Sequence, residues 1–145
     1  MDLSQAVCIV TGSSSGVGAA TARLMASRGA RVVINYARSA AAAEAVATSC
    51  RELGGEALVC QADVSRDADC RSLVAQTLGQ WGRIDALVNN AGTTKFVAHG
   101  DLDGLDEADF HNIYGVNVIG AFQMVRAARP ALTASGRAAV VNVAS

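Results

Sequence analysis

Short, almost continuously apolar runs alternate along this chain with longer stretches in which apolar residues recur every three or four positions. The runs are Val7-Cys8-Ile9-Val10, Arg31-Val32-Val33-Ile34, Ala57-Leu58-Val59-Cys60, Ile84-Asp85-Ala86-Leu87-Val88 and Ala138-Ala139-Val140-Val141-Asn142-Val143. Their β-branched content and lack of strict alternation fit parallel strands covered on both faces. The intervening stretches carry helix punctuation. Residues 17–28 stop at Gly29, with Arg23 and Arg28 toward the negative helix end, and residues 40–53 stop at Gly54-Gly55. A third helix begins after Ser65 with Asp67 and Asp69 in its first turn, sets Leu73, Val74, Leu78 and Trp81 on one stripe, and stops at Gly82. A longer fourth helix is predicted from about Asp109 to Ala134, turning Ile113, Val116, Gly120, Met124 and Ala128 inward, with Pro130 kinking or ending it. This alternation predicts repeated βαβ units: an α/β fold with a doubly wound parallel sheet of five strands. With no internal repeat, low-complexity tract or linker, residues 1–145 read as one domain.

Composition narrows the classes of function. With 51% hydrophobic and 17% charged residues the chain has ample material for a core and is not a disordered sequence. A net charge of −1 and the absence of any Lys/Arg cluster argue against a nucleic-acid or anionic-membrane surface. The start, Met1-Asp2-Leu3-Ser4-Gln5, lacks a basic leader region, and no apolar run reaches the ~18 residues of a membrane span, so a cytoplasmic location is expected. Cys8, Cys50, Cys60 and Cys70 form no C-x-x-C pair and have no histidine nearby, so they read as small packing residues and no metal site is expected.

The chemistry concentrates after the first strand. Thr11-Gly12-Ser13-Ser14-Ser15-Gly16-Val17-Gly18 leads from that strand into the first helix. Glycines there let backbone approach a pyrophosphate, whose charge the free N–H groups and positive helix end stabilise. A nucleoside-triphosphate loop is excluded, because no Gly-Lys-Ser/Thr follows and the only lysine is Lys95. A receiver- or flavodoxin-like signalling domain shares the alternating pattern but calls for an acidic cluster at strand ends or a flavin-phosphate loop, and neither is present.

The TGxxxGxG spacing of Thr11 to Gly18, Asp63-Val64 after the third strand, Asn89-Asn90-Ala91-Gly92 after the fourth, Asn117 within Val116-Asn117-Val118-Ile119-Gly120, and Val140 to Ser145 at the fifth strand occur in one order. In this the chain resembles the short-chain dehydrogenase/reductase family, particularly its 3-oxoacyl-carrier-protein-reductase-like members, over nearly its whole length. The resemblance implies a Rossmann-type fold in which Gly12, Ser13, Ser14, Ser15, Gly16, Val17 and Gly18 wrap the adenosine ribose and pyrophosphate of a nicotinamide cofactor. It places Asp63 and Val64 at the adenine, and Asn90, Ala91 and Gly92 near the nicotinamide ribose. Read by itself, Asp63 is equally a turn aspartate before a helix, and one of Asn89 and Asn90 is expected to serve strand-end hydrogen bonding.

The second strand ends in Asn35-Tyr36-Ala37-Arg38-Ser39. No acid stands there to bind a ribose 2′-hydroxyl, whereas Arg38 offers a planar donor fork and Ser39 a hydroxyl at a helix start. Tyr36, Ala37, Arg38 and Ser39 are therefore expected to favour NADP(H), with NAD(H) the alternative.

The implied activity is hydride transfer between that cofactor and a carbonyl or secondary alcohol, such as a 3-oxoacyl thioester. Ser145 matches the family's carbonyl-orienting serine and Asn117 its water-holding asparagine. The tyrosine and lysine of the family's proton relay would fall beyond Ser145. Tyr36 and Tyr114 have no lysine four residues on, so neither can supply that pair. The chain is accordingly expected to be the N-terminal part of a longer enzyme, a homodimer or homotetramer, with the C-terminal strands missing and Ala138 to Val143 left as an apolar edge. The alternative is a non-catalytic module that binds or senses NADP(H).

Overall fold

The computed structural model describes residues 2–144. Strands β1 (Val7–Val10), β2 (Arg31–Tyr36), β3 (Glu56–Gln61), β4 (Ala86–Asn89) and β5 (Ala139–Asn142) alternate with helices α1 (Gly16–Ser27), α2 (Ala40–Glu52) and α3 (Asp67–Trp81). The last crossover is composite: a short 3₁₀ turn at Leu102–Gly104, α4 (Glu107–Tyr114), a π turn at Gly115–Ile119, and α5 (Gly120–Ser135). Every strand pairing is parallel, in the order β3-β2-β1-β4-β5. This is the expected Rossmann-type α/β architecture.

The alternation of side chains along each strand divides the core in two. Cys8, Val10, Val32, Ile34, Ala86 and Val88 pack with alanines of α1 and α2 on one face. Ile9, Val33 and Leu87 pack with Leu73, Val74, Met124 and Ala128 of α3 and α5 on the other. β1, with all four residues at 0% exposure, is the centre of both layers. All four cysteines are buried and free. Burial pushes the Cys8 thiol up to about 12 and those of Cys60 and Cys70 up to about 11, so they serve as packing groups at neutral pH.

The long helix departs from expectation in three ways. It starts at Glu107 because Asp106 and Asp109 form a reciprocal cap, Asp106 Oδ1 accepting from the Asp109 N–H at 2.9 Å and Asp109 Oδ2 from the Asp106 N–H at 3.0 Å. The π turn then inserts extra backbone and breaks the 3.6-residue period, so Gly120, Met124 and Ala128 are buried while Ile113 and Val116 are only half-buried. Pro130 does not end the helix, which continues to Ser135. It lies on the exposed face, where the carbonyl it leaves free, that of Arg126, meets solvent.

At the amino ends of the strands, Asp85 ties the layers together. Its side chain is fully buried, accepts from the Val7 N–H at 2.9 Å, and receives two bonds from Arg83, at 2.9 and 2.6 Å. Ser135, the last residue of α5, also donates its hydroxyl to Asp85. Ile84 and Asp85, expected within the fourth strand, thus precede its ladder.

Candidate functional site

The strand order reverses between β1 and β4, with β2 and β3 on one side and β5 on the other. A crevice at the carboxyl ends of the strands is the geometric result. There the turn Thr11 to Ser15 leads into α1, whose N-cap Ser15 has extended backbone and no side-chain cap bond. The first-turn N–H groups of Gly16, Val17 and Gly18 precede any intrahelical acceptor, and Gly16 and Val17 are exposed.

A network of buried amides and hydroxyls fixes the turn. Asn35 Oδ1 accepts from the Gly12 N–H at 2.9 Å, while its Nδ2 donates to the carbonyls of Cys60 at 3.3 Å and Ala62 at 3.1 Å. Ser13 Oγ donates to Val10 O at 2.7 Å and accepts from the Asn35 N–H at 2.9 Å. From the opposite side Asn90 Nδ2 donates to Thr11 O and Gly12 O at 2.9 and 3.2 Å. Thr11 Oγ1 accepts from the N–H groups of Asn90 and Ala91, both at 3.0 Å. Gly12 has φ +62°, and a Cβ there would sit 2.8 Å from Ala91 Cα. The turn and the β4 terminus are thus in direct backbone contact, and the N–H groups of Thr11, Gly12, Ser13, Asn90 and Ala91 are all spent within this network.

Of the residues singled out in the sequence, Gly12, Ser14, Ser15, Ala37, Arg38, Ser39, Asp63, Val64, Asn90, Ala91 and Gly92 line one groove of about 420 Å³. Ser13 does not: it is fully buried and its hydroxyl is committed to the strand ends. Tyr36 packs against the core beside α1 and α2, and Gly18 is buried behind the turn. In this structure these three support the turn and the strand ends rather than line the groove. Asp63 holds Ser65, its Oδ1 accepting from the Ser65 N–H at 3.0 Å and hydroxyl at 2.7 Å. It is a turn aspartate, with its second oxygen outside that turn. Arg38 is exposed, and Ser39 is the N-cap of α2 without a side-chain cap bond. Among the described residues Arg38 has no carboxylate partner within ion-pair distance.

Asn117 lies in the π turn and lines a neighbouring cavity of about 260 Å³ with Thr11, Asn89 and Asn142. Its amide is paired with the Thr93 backbone in both directions, Oδ1 accepting at 2.8 Å and Nδ2 donating at 3.0 Å. Asn89 also serves the sheet, donating to Asn142 Oδ1 at 2.9 Å. Ser145 lies outside the described residues. His99 and His111 are exposed, and His111 approaches only Glu107, at 3.9 Å.

Sequence reasoning missed Thr11, Asn35, Ala62, Thr93, Asn112 and Val116 as crevice residues. For Asn35 a signal existed, since an amide ending an apolar strand needs buried partners.

No group of His, Cys, Asp and Glu among the described residues is arranged to hold a metal. No described helix is long and apolar enough to cross a membrane. The parallel sheet and its strand order define an α/β domain of the Rossmann type. Residues 6–145 match the family model for short chain dehydrogenases, and the chain belongs to that family. It is 45% identical over 139 residues to the protein designated ketoacyl reductase 2 of the granaticin polyketide synthase of Streptomyces violaceoruber, covering 96% of this chain and 54% of that one. Identity to the 3-oxoacyl-[acyl-carrier-protein] reductase of Synechocystis sp. is 36%, covering 99% and 57%. A crystal structure of a short-chain dehydrogenase/reductase from Burkholderia xenovorans superposes with a TM-score of 0.92 at 45% identity, over 98% of this chain and 60% of that one. The NADH-dependent reductase A1-R′, solved with NAD, gives 0.88 at 32%, over 99% and 61%. The chain therefore spans little more than half the length of the curated relatives it matches.

Proposed function

We propose that this chain is the cofactor-binding part of an NAD(P)-dependent oxidoreductase that interconverts a carbonyl and a secondary alcohol, with NADP(H) as the preferred cofactor. The observation that carries the reading is the arrangement of two helix N-termini around one groove: the uncapped start of α1 at Ser15 and the uncapped start of α2 at Ser39 beside the unpaired Arg38. Each is a site for an anion. Ser14 to Val17 would hold the pyrophosphate, and Arg38 with Ser39 the 2′-phosphate. Val64 and the second carboxylate oxygen of Asp63 would meet the adenine, and Asn90 to Gly92 the nicotinamide ribose.

When bound, the nicotinamide ring supplies or accepts the hydride. The chain's own residues bind and orient. Asn117 pins the segment after β4 through Thr93, and the π turn around it leaves backbone carbonyls outside the regular helix pattern. Ser145 would orient the substrate carbonyl. A tyrosine and lysine of the complete enzyme would complete proton transfer, the lysine lowering the tyrosine pKa. A 3-oxoacyl thioester is the substrate class proposed, in a cytoplasmic homo-oligomer. Residues 1–145 are proposed to act as one dinucleotide-binding domain.

The phosphate assignment makes a direct prediction. Replacing Arg38 with Leu removes a charge-assisted fork of about 1.5–3 kcal/mol, so NADPH affinity should fall roughly 10- to 100-fold. NADH affinity should barely change. Titration of both cofactors against the Arg38→Leu variant checks this; an equal loss for both would remove the 2′-phosphate role.

A further inference from the structure

The loop between β3 and α3 reaches the groove through Asp63 and Val64, and α5 holds it from behind. Val64 is 4% exposed and lines both the main groove and its neighbouring cavity. Its carbonyl accepts from Gln123 Nε2 at 2.8 Å, with a weaker bond from the Cys70 thiol at 3.3 Å. Gln123 is 7% exposed, so this amide is spent inside the protein. One turn earlier on α5 is Gly120, where a Cβ would lie 2.6 Å from Val64 Cγ2 and 3.2 Å from Val64 O. One turn later Arg126 reaches Asp67 at 2.7 Å, at the start of α3. Gly120 and Gln123 of α5 thus hold the loop itself and Arg126 the start of the helix that follows it, while the Asp63 N–H is held from α3 by Asp69 Oδ2 at 3.0 Å.

We infer that Gln123 and Gly120 are positioning residues for adenine recognition: they seat Val64 against α5 and so aim the neighbouring Asp63 carboxylate into the groove. Gln123 supplies a donor to a loop carbonyl that has no strand ladder. Gly120 supplies the space that lets the loop sit close. Neither residue lines the main groove, and only Gly120 lines the neighbouring cavity. A buried amide serving packing alone would require no loop carbonyl at hydrogen-bond distance, and a side chain at 120 would keep the loop away from the helix.

The inference rests on the proposed dinucleotide site, and the test separates the two. NADPH and its hypoxanthine analogue, in which an oxygen replaces the adenine amine, are titrated against the unaltered chain and Gln123→Met. The unaltered chain should bind NADPH about tenfold more tightly than the analogue, as loss of a donor to a carboxylate implies. In Gln123→Met, NADPH affinity should fall about tenfold and the preference should shrink to within about twofold. A variant that is merely less folded weakens both ligands equally and keeps the preference, which would overturn the inference. Failure of the unaltered chain to bind either ligand removes the proposed site, and equal binding of the two removes the Asp63 contact with everything built on it. Should Gln123→Met not fold, Gly120→Ala is compared with Gly120→Ala/Val64→Ala. Relief of the clash should return the preference to that of Val64→Ala; no recovery would contradict the inference.

Discussion

Substitution of Gly18 by Ala should abolish measurable dinucleotide binding, a loss of roughly 100-fold or more, while leaving the sheet assembled. A Cβ at Gly18 would stand 2.4 Å from Asn90 Nδ2, 2.7 Å from Gly12 O and 2.9 Å from Ser13 Cα. None of these neighbours can yield cheaply. Asn90 Nδ2 is held by Thr11 O and Gly12 O, and the Ser13 hydroxyl by Val10 O. The methyl group must therefore displace the turn that sets the start of α1 beside the groove, and a shift of about 1 Å in a preorganised site costs on the order of 100-fold. Gly16 is the matched control. It has φ +55°, but no atom of the chain lies within 4 Å of the point a Cβ would occupy, so Gly16→Ala leaves the turn in place and adds the left-handed backbone penalty of about 1–2 kcal/mol to whatever the methyl group costs against the pyrophosphate. Circular dichroism and an NADPH titration of both variants check the contrast; Gly18→Ala binding within about threefold of the unaltered chain would refute the turn geometry as the source of affinity.

Asp85→Ala should give the largest loss of stability of any substitution outside the crevice, about 3–4 kcal/mol. The side chain joins the Val7 N–H of β1, the Arg83 guanidinium and the Ser135 hydroxyl of α5, so its removal leaves several donors without their acceptor. Burial alone would push this carboxyl up, but the bonds from Arg83, Ser135 and the Val7 N–H outweigh it and hold the pKa down at about 2, against an ordinary 3.8. A depressed folded-state pKa contributes stability above the unfolded value and loses it as pH falls through the folded one. Roughly 2 kcal/mol should therefore disappear between about pH 4 and pH 2. Urea midpoints across that range, for the unaltered chain and Asp85→Ala, measure both effects. The acid-dependent component from this site should be absent in the variant, and parallel curves would contradict the assignment.

Local pattern carried much of this structure. Continuous apolar runs marked β1 and β2 because both faces of those strands are covered, and the glycines at 29, 54 and 82 marked helix stops because each adopts positive φ. The crevice was legible as a glycine-rich turn after the first strand, with Arg38 where an acid would select against a 2′-phosphate. Tertiary polar contacts were not legible. Asn35 finds Gly12 23 positions away, Gln123 finds Val64 59 away, and Asp85 finds Val7 78 away. No window of helical or strand period contains such pairs. Nor did any local pattern show that the Ser13 hydroxyl donates to Val10 O. In the long helix the Asp106-x-x-Asp109 cap went unread, which put the start near Asp109, and neither Gly115 nor Asn117 distinguishes a π turn from regular helix in the sequence. Pro130 does not stop the helix because the cost of a proline depends on which face it occupies.

Two helix starts and Arg38, on the reading proposed above, make this chain a site for a phosphorylated nicotinamide dinucleotide. Calorimetric titration of NADPH and NADH into the chain at low and moderate salt tests this most directly. The expected result is saturable one-to-one binding, with NADPH at least about tenfold tighter and its advantage shrinking as salt screens the Arg38 contact. Absence of binding by either cofactor would contradict the site, and NADH binding as tight as or tighter than NADPH would contradict the role of Arg38.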